Sequence, residues 1–82
     1  MITVRLHAVL RDLAGRDTVR IRLHEPGSTT GTVFERLVEQ HPELGPWCDK
    51  VAFAIDRRIV GPTTVMPEGS FVLDVLPPVS GG

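Results

Sequence analysis

The sequence predicts an α+β domain, a mixed sheet with one main helix packed across it. Three observations carry that prediction. Apolar and polar residues alternate near both ends of the chain, one central stretch repeats at helical spacing, and 82 residues leave room for a single domain. With 41% hydrophobic and 23% charged residues, the composition is that of a folded globular protein.

Ile2, Val4, Leu6 and Ala8 alternate with Thr3, Arg5 and His7, the period of a strand with one buried face. Residues 11–16 carry Gly15 and no such period, so a connection is expected there. Val19, Ile21 and Leu23 resume the alternation against Thr18, Arg20 and Arg22, and the two strands read as an antiparallel hairpin. Glu25-Pro26-Gly27 ends the second strand, because proline lacks the ladder donor and glycine permits reversal.

Ser28, Thr29 and Thr30 offer hydroxyl caps ahead of Val33, Phe34, Leu37 and Val38. That spacing predicts an amphipathic helix over about residues 30–41, with Glu35, Arg36 and Glu39 opposite. Pro42 disfavours a helical His41 and marks its end. Leu44 and Trp47 should pack beneath the connection that follows. Residues 51–55 are apolar on both faces, as a central strand covered on more than one side would be. Asp56-Arg57-Arg58 turns it into a short edge segment at Ile59-Val60. After turns at Gly61-Pro62 and Pro67-Glu68-Gly69, residues 71–76 form the last strand, stopped by Pro77-Pro78. This order fits a β-grasp arrangement, residues 1–76, with the first and last strands as parallel central neighbours and a flexible tail over 77–82.

A net charge of −1 gives no positive field to hold phosphate backbones, so nucleic-acid binding is not expected. The longest apolar run, 51–55, is far short of the ~20 residues of a membrane helix. The first residues lack the apolar block of a signal peptide, which points to the cytoplasm. The single Cys48 agrees with a reducing compartment.

Candidate chemistry within the domain is sparse. His7, His24 and His41 show no metal-ligand spacing, and solvent-facing or edge positions explain them better. Cys48 has no adjacent histidine to support a thiolate, and Asp49 opposes one. Residues 27–32 are glycine-rich before a helix but lack the Gly-Lys-Ser/Thr ending of a phosphate cradle, so turn plus N-cap ranks above nucleotide binding. Asp12, Asp17, Asp56 and Asp74 are scattered. Arg5, Arg20 and Arg22 are expected simply to solvate the outer sheet face. A domain this small has little room for a private cleft, which favours a carrier or binding role over an enzyme.

The tail, Leu76-Pro77-Pro78-Val79-Ser80-Gly81-Gly82, is the informative segment. From Pro78 it can reach at most roughly 17 Å beyond the sheet when extended. Glycines without Cβ can thread a narrow channel, presenting the Gly82 carboxylate at the tip. That carboxylate is a poor electrophile until activated. An acyl-adenylate made by an ATP-using partner would supply the leaving group, and a sulfur nucleophile could then form a thioester or thiocarboxylate.

Ile2-Thr3-Val4-Arg5-Leu6, Leu10-Arg11-Asp12-Leu13-Ala14-Gly15, Pro67-Glu68-Gly69 and above all the Pro-Pro-Val-Ser-Gly-Gly ending resemble the ThiS/MoaD ubiquitin-like sulfur carriers, in particular the small subunit of molybdopterin synthase. The resemblance covers the whole chain and implies a ubiquitin-like β-grasp fold. It further implies that an E1-like enzyme adenylates Gly82 with ATP and that a persulfide donor converts it to a thiocarboxylate. Pro77, Pro78, Val79, Ser80 and Gly81 would thread into the large synthase subunit, where the sulfur passes to a pterin precursor in molybdenum cofactor biosynthesis. No bound cofactor or metal is implied, and catalytic side chains would belong to the partner.

In such relatives an apolar patch and an arginine meet both partners, and the matching positions are His7, Arg11, Ile59 and Leu76. Alternation turns Leu76 outward, in agreement. His7 departs from the usual large apolar residue. Two other readings use the same tail: sulfur delivery for thiamin, cysteine or a tungsten cofactor, and a ubiquitin-like modifier joined to lysines. Pro77-Pro78 favours the molybdopterin branch.

Overall fold

A computed structural model describes residues 1–23, 27–67, 69 and 71–77. Five strands form one mixed sheet: β1 (Ile2–Leu6), β2 (Thr18–Ile21), β3 (Ala52–Ile55), β4 (Arg58–Val60) and β5 (Phe71–Leu76). Their order across the sheet is β2-β1-β5-β3-β4. β1 and β5 run parallel, with Val4 opposite Leu73 and Arg5 opposite Asp74; every other pairing is antiparallel. This is the β-grasp arrangement expected from the element order, and it makes the last strand the middle of the sheet.

The main helix, α2 (Thr30–Gln40), starts where the hydroxyl caps placed it. Thr29 is extended and its Oγ1 accepts from the Thr32 amide at 3.2 Å, satisfying one of the first-turn donors. Val33, Phe34 and Leu37 share one buried cluster with Leu6, Ile21 and Phe53. The rings of Phe34 and Phe53 meet edge to face at 6.0 Å, a geometry that aligns ring edge with ring face. Leu44, on a 3₁₀ turn over Pro42–Trp47, is fully buried in the same cluster, with half-buried Trp47 against it.

Two expectations are corrected. The connection after β1 contains a short helix, α1 (Val9–Ala14). It opens at Ala8, whose φ of 52° and ψ of −125° place it at the first central position of a type II′ turn, closed by Leu10 N–H donating to the His7 carbonyl at 3.1 Å. Gly15 ends it at φ 75°, its amide donating to the Arg11 carbonyl, as a left-handed glycine cap does. The helix buries Leu10 completely.

The second correction concerns β3. The core draws Phe53 and Ile55 from one face, while Ala52 and Ala54 look the other way and stand outside the core cluster. Ala54 is nonetheless buried, because a methyl group lies below the side chains of its flanking partners Asp74 and Ile59. The sheet therefore has one packed face and one open face.

Candidate functional site

The site is best built outward from β5. Leu73 and Val75 point into the core, so Val72, Asp74 and Leu76 point to the open face. Register fixes what surrounds them. One transverse row on that face runs Thr18, Arg5, Asp74, Ala54, Ile59. Leu76 sits opposite Ala52 in the next row, and Val72 opposite Thr3 on the other side. Ile59 is 69% exposed and Val72 41% exposed, so this side of the face is apolar and accessible.

A polar group occupies its centre. Arg5 Nε donates to Asp74 Oδ1 at 2.7 Å and Arg5 Nη2 to Asp74 Oδ2 at 3.1 Å, a two-pronged pairing that fixes the guanidinium plane. His7 Nε2 lies 2.9 Å from Asp74 Oδ1. A carboxylate oxygen only accepts, so Nε2 carries a proton in this contact. The donors of Arg5, then those of His7, hold the Asp74 carboxyl below its ordinary range, against partial burial, which pulls the other way. The same hydrogen bond and charge raise Arg5 further above its already high value.

The structure gathers His7, Ile59 and Leu76 on one face. Leu76 is half-buried rather than fully exposed, because it lies in an interior strand. Arg11 sits on α1, beside a shallow depression also lined by Asp12, Gly15, Arg16 and Asp17, and its ion pair is with its neighbour Asp12 at 3.7 Å. Pro77 follows β5 and is half-buried. Pro78, Val79, Ser80, Gly81 and Gly82 lie outside the described residues, as does His24.

Sequence reasoning missed Asp74 and treated Arg5 as a solvating charge. The available signal was the expected parallel pairing of the first and last strands, because any in-phase register brings outward residues of the two strands together. Among the described residues there is no cluster of three or more histidine, cysteine or acidic side chains suited to a metal, and no helix is long and apolar enough to cross a membrane.

Comparison with solved structures agrees with this architecture. The chain is 27% identical to SAMP1 of Haloferax volcanii, a small archaeal modifier protein, with a TM-score of 0.83 over 99% of this chain and 98% of that one. A Pyrococcus furiosus protein described as subunit 1 of a molybdopterin converting factor is 25% identical, with a TM-score of 0.79 over 95% and 97% of the two chains. A Helicobacter pylori complex of subunits 1 and 2 of molybdopterin-converting factor aligns at 20% identity and a TM-score of 0.63, over 99% of this chain and 97% of that one, and at that identity shows the fold alone. A search of curated protein sequences finds no match. The model of the ThiS family, whose members are small ubiquitin-like sulfur carriers, matches residues 4–82. That match spans the sheet, the helix and the glycine-ended tail together, and the chain belongs to the ThiS family.

Proposed function

We propose that this protein is the sulfur-carrying small subunit of a molybdopterin synthase and that the Gly82 carboxyl is its working group. The observation that carries this reading is the continuity of the family match through residue 82, which joins the Pro77-Pro78-Val79-Ser80-Gly81-Gly82 segment to the central strand of a rigid sheet. In the proposed cycle an E1-like enzyme lets the Gly82 carboxylate attack the α-phosphorus of ATP, releasing pyrophosphate. A persulfide sulfur then attacks the acyl carbon and expels AMP, and a thiol cleaves the resulting S–S bond to leave the thiocarboxylate. Pro77 to Gly81 carry that group into the large synthase subunit, whose side chains transfer the sulfur to the pterin precursor. His7, Ile59 and Leu76 meet the partner on the open face, and Arg11 meets it from α1. ATP and a persulfide donor are the co-reactants, which suits the cytoplasm.

A second reading, a modifier joined to lysines through Gly82, draws support from the likeness to SAMP1. Intact-mass spectrometry separates the two. After incubation with the activating enzyme, ATP and a persulfide donor, the carrier reading expects the mass gain of sulfur for oxygen in the C-terminal peptide. Deleting Gly82 shifts the carboxyl by about 3.4 Å and should abolish the gain, since ~1 Å of misplacement already costs about a hundredfold in rate. Thiolation of the truncated chain at the wild-type rate would sink this assignment. Lysine conjugates in place of molybdopterin formation would favour the modifier.

A further inference from the structure

The open face has a polar half that an apolar docking patch does not need. Arg5 is 56% exposed although two of its bonds are tied to Asp74, itself only 15% exposed. Of the five N–H donors of a guanidinium, two are so engaged, and among the described residues nothing else accepts from the remaining three. His7 adds a contact to the same carboxylate, at the Oδ1 that Arg5 Nε also reaches. The acidic member, on the open face but only 15% exposed, is thus largely covered by its own partners, and the edge offered to solvent is a fixed fork of donors.

We propose that Arg5, oriented by Asp74 and His7, is a specificity-determining residue that receives a carboxylate from the protein partner docked on this face. The proposal rests on the carrier reading only insofar as a partner docks there. Charge complementarity selects the occupant. A phosphate would bring up to two negative charges against Asp74, which already shares the guanidinium, whereas one carboxylate brings a single charge and matches the fork. The neighbouring surface is apolar at Val72 and Ile59, which suits a protein surface better than a polyanion. Ile59 lies three strands from Arg5 along one row, about 14 Å away at the usual strand spacing. The partner should therefore carry an aspartate or glutamate at about that separation from an apolar contact.

The test uses the full chain and its E1-like activating enzyme, which both the carrier and modifier readings require, followed by ATP–pyrophosphate exchange. Arg5→Glu should raise KM for the carrier at least tenfold with kcat changed less than twofold. The double exchange R5D/D74R keeps an ion pair in the sheet but moves its donors, and it should lose affinity to a similar degree. Arg5→Lys should place an amine where a carbodiimide couples it to a partner carboxylate, in a cross-link mapped to position 5. Circular dichroism confirms that each variant is folded; should Arg5→Glu fail to fold, Arg5→Gln replaces it with a smaller rise of the same sign. If Ile59→Asp raises KM while every Arg5 variant behaves as wild type, the polar half is merely structural and the proposal falls, although the docking face stands. Were neither position to matter, or the wild-type chain not to be activated, both would fall.

Discussion

Arg5 and Asp74, separated by 69 positions in the chain, meet across the central parallel strands through two hydrogen bonds of 2.7 and 3.1 Å. The pairing stabilises charged Asp74 in the folded state, so its folded pKa lies below the unfolded value of about 3.9. A depressed carboxyl contributes stability above the unfolded pKa and loses it as pH falls through the folded one. Wild type should therefore lose more stability than Asp74→Asn between pH 5 and pH 2. Solvent around Arg5 limits the difference to about 1 kcal/mol or less. Urea midpoints at the two pH values measure it, and an equal loss in both proteins would show that the pair contributes nothing.

Leu37 is fully buried beneath the sheet. Its truncation removes transfer energy and leaves a cavity, so Leu37→Ala should cost roughly 2 to 5 kcal/mol, a large share of a small domain's stability. A loss under half a kilocalorie in urea melts would contradict the helix packing described above.

Gly31 sits in the first turn of α2, where its amide donates to the Pro62 carbonyl at 2.9 Å. A Cβ built there would lie 2.9 Å from that same backbone oxygen, and backbone cannot swing aside as a side-chain tip can. Helix propensity alone would favour alanine by up to about 1 kcal/mol, but the overlap should win and Gly31→Ala should destabilise by about 1 to 3 kcal/mol. Gly45→Ala is the control, because its nearest atom, Val38 Cγ1, stands at an ordinary 3.6 Å. A Gly31→Ala protein as stable as wild type by thermal melting would mean that the 61–64 loop relaxes freely.

The β3–β4 hairpin turns on Asp56 and Arg57, with φ of 54° and 67°. A two-residue turn with both angles positive is of the I′ class, which favours glycine at its second position. A side chain pays for that conformation, so Arg57→Gly should raise stability by a few tenths to about 1 kcal/mol, the lost strain outweighing the greater unfolded-state freedom of glycine. A lower thermal midpoint would reverse that ranking.

Strand phases and the main helix were legible because each alternates or repeats over several residues: Ile2, Val4 and Leu6 point inward together, and Val33 and Leu37 follow at helical spacing. The α1 helix was not, because six residues give too few turns for a period, and because Ala8 adopts a conformation normally signalled by glycine. Arg5 was placed on the outer face correctly, whereas Asp74 was read only as one of several scattered carboxylates. Their meeting depends on the register of a parallel pair formed by the two ends of the domain, which no local pattern encodes. For the tail, the sequence alone carries the motif, Pro77-Pro78-Val79-Ser80-Gly81-Gly82.

The half-buried state of Leu76 changes which residue best tests the docking face. A charge at Leu76, opposite Ala52 in the sheet interior, would disturb both folding and binding, so a lost interaction could not be assigned to either. Ile59 is 69% exposed on the edge strand β4, and replacing it removes little buried area. Ile59→Asp should leave the thermal midpoint within a few degrees of wild type, as surface substitutions usually stay within about 0.5 kcal/mol. Apolar anchors at an interface typically cost more than about 1 kcal/mol when lost, and a buried charge without a partner adds to that penalty. With the large synthase subunit proposed above as the partner, calorimetric titration should therefore show at least a fivefold weaker Kd for Ile59→Asp, mainly through faster dissociation. Should the folded variant bind as tightly as wild type, the apolar edge around Ile59 lies outside the interface.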